Sequence, residues 1–313
     1  MVIVQPILRQ ALLWAISTFL FLSILFIPRN VEFKAGQGNT FNNATYHYSI
    51  QDHITEFKNF YLYIKKNRGF GEVSVGYSLT EKIGRTFFKS MKIAIPAIIL
   101  GFFAGIAKGV FDYRTRNRRG KLLGVSTTKF FLSVPDLFLI IMIQIAIMTT
   151  YEYGLLPLIK VFGSEHLSTV ILCIVFLSIY PIFHIATITY YSLHDEQGMD
   201  YIRTALAKGI TSSKILYFHM LKNCLVKILS QANTITLYVL SNLFIVEFLT
   251  SYRGAAYFFF RSVAPPGSFT GGIDFHLNTF AAAGYTIMFT LVIFIANTIS
   301  QVTRKILFPY ERS

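Results

Sequence analysis

The densest chemistry in this sequence lies in one short stretch, Asp200-Tyr201-Ile202-Arg203-Thr204-Ala205-Leu206-Ala207-Lys208-Gly209-Ile210. It sets an acid, a phenol, a guanidinium, a hydroxyl and an ammonium among small residues. Ile202, Ala205, Leu206, Gly209 and Ile210 recur at i, i+3, i+4, i+7 and i+8, which predicts a short amphipathic helix. Gly209 is placed to end it, and Lys208 falls near its carbonyl pole. Thr211, Ser212 and Ser213 are cap candidates for a second helix through Ile215, Leu216, Met220 and Leu221. This is chemistry of recognition rather than of bond making. Ala205, Ala207 and Gly209 allow another surface to come close, and Arg203 and Lys208 can reach its carboxylates or carbonyls. The same pattern fits a helix lying on lipid headgroups, and spacing alone does not separate the two.

Three ionisable residues stand inside apolar stretches. Asp136 follows Pro135, Glu247 closes another stretch, and His184 interrupts a third. Such groups are costly in a bilayer and often mark a transport path. Asp136 could equally reach water or pair with Lys129, Glu247 could serve a structural or gating contact, and His184 could simply pack. Other chemistries are excluded. Cys173 and Cys224 lack CxxC partners, so zinc and redox sites are not expected. No G-x-x-x-x-G-K-[ST] loop occurs; Gly101 to Lys108 and Gly120-Lys121 miss the spacing. No catalytic triad, metal cluster or paired-carboxylate site is visible.

The elements that must position these residues are membrane spans. Only 14% of the 313 residues are charged and 53% are hydrophobic, where soluble domains carry about 25% charged residues. Six apolar stretches have spanning length: 7–27, 90–111, 130–149, 168–191, 233–250 and 278–300. The expected fold is an all-α polytopic membrane protein with six transmembrane helices. A first transmembrane helix (1–27) leads to an external loop or cap (28–88). A five-helix core follows (89–300), with the short helix at about 200–210, and then a tail (301–313). The first stretch ends in Phe26-Ile27-Pro28-Arg29 without a small-x-small site and reads as a retained span.

The net charge of +14 gathers beside these spans, so positive-inside topology accounts for it and nucleic acid is not an expected partner. Arg114, Arg116, Arg118, Arg119, Lys121 and Lys129 crowd one loop. Arg203, Lys208, Lys214, Lys222 and Lys227 crowd another, and the tail adds Arg304, Lys305 and Arg312. The opposite side has Lys160, Arg253 and Arg261 in its shorter loops. Both termini are therefore expected in the cytoplasm of a multi-pass protein, and abundant Ile, Lys, Asn, Phe and Tyr point to an AT-rich bacterial genome, hence a bacterial cytoplasmic membrane. Lys92 and Lys108 are expected to snorkel to opposite interfaces. Gly101 and Gly105 form a GxxxG suited to close helix packing. In the long loop, Ile54, Phe57, Tyr61 and Ile64 have helical spacing, with Asp52 as N-cap candidate, predicting a folded cap or an interfacial helix.

The Asp200–Gly209 run, followed by His219-Met220-Leu221-Lys222-Asn223, resembles the "EAA" loop of ABC importer permeases. It is closest in pattern to the oligopeptide, dipeptide and nickel group. Arg203 stands at the generic glutamate and Lys222 at the generic proline. Ser133-Val134-Pro135 with Phe138, Tyr153-Gly154-Leu155-Leu156-Pro157, and Glu247 with Gly254 resemble further elements of that group. The resemblance runs from about Gly76 to the end and fails over the first 75 residues. Ala264-Pro265-Pro266-Gly267 and Thr270-Gly271-Gly272 depart from the group's pattern.

The resemblance implies a permease subunit without enzymatic activity. Asp200, Tyr201, Arg203, Thr204, Ala205, Ala207, Lys208 and Gly209 would form its ATPase-coupling helix, and Glu247 would make a structural or gating contact. Pro135, Asp136 and Glu247, as polar or helix-breaking residues inside spans, are the candidates for a translocation path. No cofactor or metal is expected in this chain; ATP and Mg would be bound by partner subunits. Implied partners are two cytosolic ATP-binding subunits, a second homologous permease, an external substrate-binding lipoprotein and membrane lipid. Peptides are the implied cargo, nickel chelates or another small solute the alternative. A non-transporting scaffold or regulator acting through the external loop is the alternative of another class.

Overall fold

A computed structural model describes residues 4–28, 31–35, 41–74, 76–116, 123–263 and 278–307. Arg29, Arg118, Arg119, Lys121, Arg312 and the unusual 264–267 and 270–272 stretches lie outside these. Among the described residues, five helices are long and apolar enough to cross a membrane, or six if one bent pair counts as a span. They are α1 (Val4–Leu25), α3 (Leu79–Thr115), α6 (Leu167–Glu196), α10 (Ala232–Leu249) and α12 (Thr279–Leu307), with α4 (Val125–Ser133) and α5 (Asp136–Glu152) as the bent pair.

The third expected span is thus not one helix over 130–149. α4 and α5 meet at 100°. The reason is local: the Pro135 ring disfavours helical backbone at the residue before it. Val134 accordingly takes φ −90°, ψ 129°. Pro96 in α3 and Pro181 in α6 do not break their helices. Neighbouring helices can satisfy what such prolines free.

The second span also begins earlier than hydropathy predicts, at Leu79 rather than Ser90. Glu81, Lys82, Arg85 and Lys89 lower the hydropathy there, yet Leu79, Ile83, Thr86 and Ser90 form a buried stripe at helical spacing. A buried stripe decides the helix, not mean polarity.

The chain divides into two compact units. In the larger (residues 90–253 with the flanking ends of α1 and α12), α6 packs against α4, α9 (Leu221–Leu229) and α10. Three glycines of α3 meet α6 without side chains. A Cβ on Gly101 would lie 2.5 Å from Pro181 Cβ, one on Gly105 2.7 Å from Ile185 Cβ, and one on Gly109 2.5 Å from Thr189 Cβ. The GxxxG motif therefore extends by one more step, through Gly109. Lys108 has defined partners near the end of α3. It pairs with the buried Asp112 and donates to Gly124 O (3.2 Å) and Thr128 Oγ1 (3.1 Å), while Thr128 donates to Asp112 at 2.6 Å. That cluster fixes the start of α4 to the end of α3.

The smaller unit comprises residues 8–89 and 254–294. Strands β1 (Val31–Ala35) and β2 (Phe41–Tyr46) pair antiparallel, as do β3 (Glu72–Ser74) and β4 (Tyr77–Ser78). Between the pairs lies α2 (Ile50–Asn67), the helix expected in the loop. Its N-cap is Ser49, whose hydroxyl accepts from Asp52 N–H at 3.3 Å, so Asp52 sits in the first turn rather than capping. Phe26, Phe60 and Ala283 form the unit's core with Leu22, Phe57, Ile64, Phe70 and Phe280 around them. α12 joins through Thr290–Thr18 (3.1 Å) and Tyr285–Thr86 (3.1 Å) hydrogen bonds. α11 (Ala255–Val263) completes it.

Candidate docking surface on α7

The short amphipathic helix is α7, Asp200–Ala207, so it stops short of the expected end at Ile210. Its ending is a Schellman motif: Gly209 N–H donates to Leu206 O (2.9 Å) and Ile210 N–H to Ala205 O (3.2 Å), the pattern of a left-handed C′ residue. Gly209 has φ +73°, and a Cβ there would meet nothing within 4 Å. Glycine is therefore required by backbone conformation, not by space. Thr211 precedes α8 (Ser212–Lys214) in the extended N-cap conformation but makes no side-chain cap bond. The chain continues as a π-helix, Ile215–Met220, into α9.

α7 buries Ile202 and Ala205 against its own chain. Asp200, Arg203, Thr204, Leu206, Ala207, Lys208 and Gly209 are exposed. Two expectations change here. Ala205 faces inward and cannot admit a partner, and Leu206, expected on the apolar side, is 53% exposed. With only two turns, the inner stripe is the pair three residues apart, and Leu206 falls one step around it. Arg203 lies 3.8 Å from Asp200 with both side chains in solvent, so the pair restrains neither strongly.

What fixes α7 in place is a carboxylate the sequence reading did not single out. Tyr201 OH donates to Glu196 Oε2, and Asn223 Nδ2 donates to the same oxygen at 3.5 Å. Beside it, Lys227 donates to Asp195 at 3.3 Å. Burial, and then the hydrogen bond to Glu196, push the Tyr201 phenol up to about 12. Burial, and then the Glu196 charge, push the nearby Cys224 thiol up to about 12. Arg114 at the end of α3, counted in sequence only as a topology signal, donates to Ser213 Oγ (3.1 Å) and Tyr217 OH (3.3 Å). A groove of about 370 Å³ opens beside these contacts, lined by Arg114, Arg116, Ile202, Leu206 and Ser212 among others.

The residues suggested for a translocation path lie apart from α7. Pro135 opens α5, and Asp136, the next residue, accepts from Tyr238 OH rather than pairing with Lys129. Tyr238 stacks on Tyr180 with centroids 3.8 Å apart, and Tyr180 stacks on His184 at 5.4 Å. Glu247 is fully buried in α10 and accepts from Ser90 Oγ. Its backbone carbonyl takes the Tyr252 N–H (3.0 Å) in a second Schellman turn, where Ser251 adopts φ +50°. The signal that could have found Glu196 and Tyr238 is reciprocity: each tyrosine or carboxylate in an apolar setting calls for a partner.

Long apolar helices, a broken helix pair and an exposed two-turn helix between two spans define a predominantly α-helical, multi-pass membrane protein, with two small strand pairs besides. The chain belongs to the family of binding-protein-dependent transport system inner membrane components, whose profile matches residues 97–309. It is 26% identical over 188 residues to the dipeptide transport system permease protein DppB of Bacillus subtilis (strain 168), covering 59% of each chain. It is 25% identical over 183 residues to the oligopeptide transport system permease protein OppB of Salmonella typhimurium, covering 58% of this chain and 59% of that one. The matched part thus spans about three-fifths of these relatives' length. In fold it is similar to a chain of the methionine ABC transporter MetNI in an inward-facing conformation. That match has a TM-score of 0.55 and 15% identity, and covers 72% of this chain and 95% of that one.

Proposed function

We propose that this chain is a membrane subunit of an ATP-driven importer, forming half of a translocation path for peptides and coupling to a cytosolic ATPase through α7. Two ATPase subunits, a second homologous permease and an external substrate-binding lipoprotein complete the assembly. ATP and Mg belong to the ATPase subunits. Both termini lie in the cytoplasm, on the side of the basic loops. The similarity to dipeptide and oligopeptide permeases supports peptides as cargo.

The observation that carries the coupling role is α7's division of labour. One face is locked to its own chain through Ile202, Ala205 and the Glu196 carboxylate, while Arg203, Thr204, Ala207 and Lys208 are left in solvent. A rigidly held helix with a free polar face can transmit a push from a partner subunit. A loosely held one would absorb it. Closure of the ATPases would draw two such helices together and rock the spans between outward-open and inward-open states.

The test is the assembled transporter in proteoliposomes, with Arg203→Glu and Gly209→Arg. Uptake should fall while ATP hydrolysis and membrane insertion persist. Normal uptake in both variants would overturn the coupling role.

A further inference from the structure

α2 carries an apolar flank that its own unit leaves uncovered. The helix lies across the ends of two membrane helices. Phe57 stacks near Phe19 (5.7 Å) and Phe26 (5.2 Å) of the α1 end, and Phe60 lies 4.6 Å from Phe26. His53 Nε2 bonds Ser23 O at 3.0 Å. At the other end of α2, Tyr63 stacks on Phe280 in the first turn of α12 at 4.5 Å. α1 itself presents Phe19, Leu20, Phe21 and Ile24, each more than half exposed, as a lipid-facing span does. These contacts set the depth of α2 at the boundary where two spans leave the hydrocarbon.

The two flanks of α2 differ. Ile50, Ile54 and Tyr61 recur at helical spacing beside the buried aromatic face and are 66%, 63% and 65% exposed. Lys58 and Lys65 follow next around the helix. The opposite flank is Asp52, Glu56 and Asn59. We infer that α2 is an interfacial helix whose Ile50–Ile54–Tyr61 flank sits in the acyl boundary of the bilayer, with Lys58 and Lys65 on anionic phospholipid headgroups. An apolar flank edged by lysines, with acids kept on the far side, is the pattern of a helix lying in the interface plane. A protein-docking face at this depth would not need to align its lysines with the lipid–water border.

The test uses the full chain in nanodiscs containing anionic lipid, spin-labelled at single cysteines. Cys173 and Cys224 are 0% and 1% exposed and give little background. Labels at Ile54→Cys and Tyr61→Cys should be accessible to oxygen and severalfold less accessible to a water-soluble nickel relaxant than labels at Glu56→Cys and Asn59→Cys. Adding Lys58→Glu and Lys65→Glu should raise nickel access at position 54. Equal nickel access at all four positions would overturn the inference. So would protection at positions 54 and 61 that appears only when an external binding protein is added, because the flank would then be a protein surface.

Discussion

Tyr201 and Asn223 donate to the same carboxylate oxygen, Oε2 of Glu196. One belongs to the Asp200–Gly209 run and the other to the His219–Asn223 run, so two separate sequence motifs meet on a residue that belongs to neither. Hydrogen bonds to a charged acceptor contribute roughly 1.5–3 kcal/mol. Glu196→Ala should therefore loosen α7 more than Tyr201→Phe or Asn223→Ala alone. Hydrogen exchange of the 200–210 amides is the measurement. Unchanged exchange in Glu196→Ala would remove this carboxylate as the anchor.

Gly209 gives a sharper conformational prediction. Its φ is +73° and there is open space around a Cβ. An L-residue in this region costs about 1–2 kcal/mol, so Gly209→Ala should fray the end of α7. Gly209→Asn should cost less, since asparagine tolerates the left-handed region. If the two behave alike in amide exchange, conformation is not the reason for glycine here.

The glycines of α3 predict opposite signs within one helix. Gly105→Ala and Gly109→Ala would press a methyl to within 3.0 Å of α6 atoms. Overpacking of this kind costs about 1–3 kcal/mol. Gly84→Ala, with nothing within 4 Å, should instead gain helix stability, by roughly 0.5–1 kcal/mol. Thermal unfolding in detergent would show Tm falling for the first two and rising for the third.

Lys108 and Asp112 form a pair that should fail asymmetrically. Asp112 is 1% exposed. Leaving one charge of a buried pair uncompensated costs about 3–5 kcal/mol. Lys108→Met should thus destabilise strongly, and Lys108→Met with Asp112→Leu should recover much of the loss. A double variant no more stable than Lys108→Met would contradict the pairing.

The Cys224 thiol supplies a pH prediction. Burial raises its pKa to about 12 from about 8.5 for a free thiol. A pKa raised on folding means the neutral thiol is favoured in the folded state. That contribution is full below about pH 8.5 and is lost as pH climbs towards 12. Alkylation of the native protein at pH 7–9 should be slow, and unfolding should release it. Rapid native alkylation at pH 8 would contradict it.

Much of this was legible in the residues. The apolar runs place the long helices, and the spacing of Ile202 and Ala205 with the closing Gly209 places α7. What escaped has a shared physical cause. Hydropathy averages over a window, so it started α3 at Ser90 and missed the buried stripe from Leu79. It joined α4 to α5 because Val134-Pro135 changes direction without changing polarity. Partnerships across long sequence separations, such as Asp136 with Tyr238 and Glu196 with Asn223, carry no periodicity at all. Only folding brings them together.

The bend at Pro135 has a consequence for the surrounding lipid. α5 has 17 residues, which rise about 26 Å, short of the roughly 30 Å of hydrocarbon in a typical bilayer. α4 turns away by 100° and cannot lengthen it. Where α5 spans, a helix this short is matched by local thinning of the bilayer, by flanking side chains that reach the interface, or by association with a partner helix. Acyl-chain length then becomes a variable of the transporter itself: thin membranes suit this segment, and thick ones press on the break at Pro135.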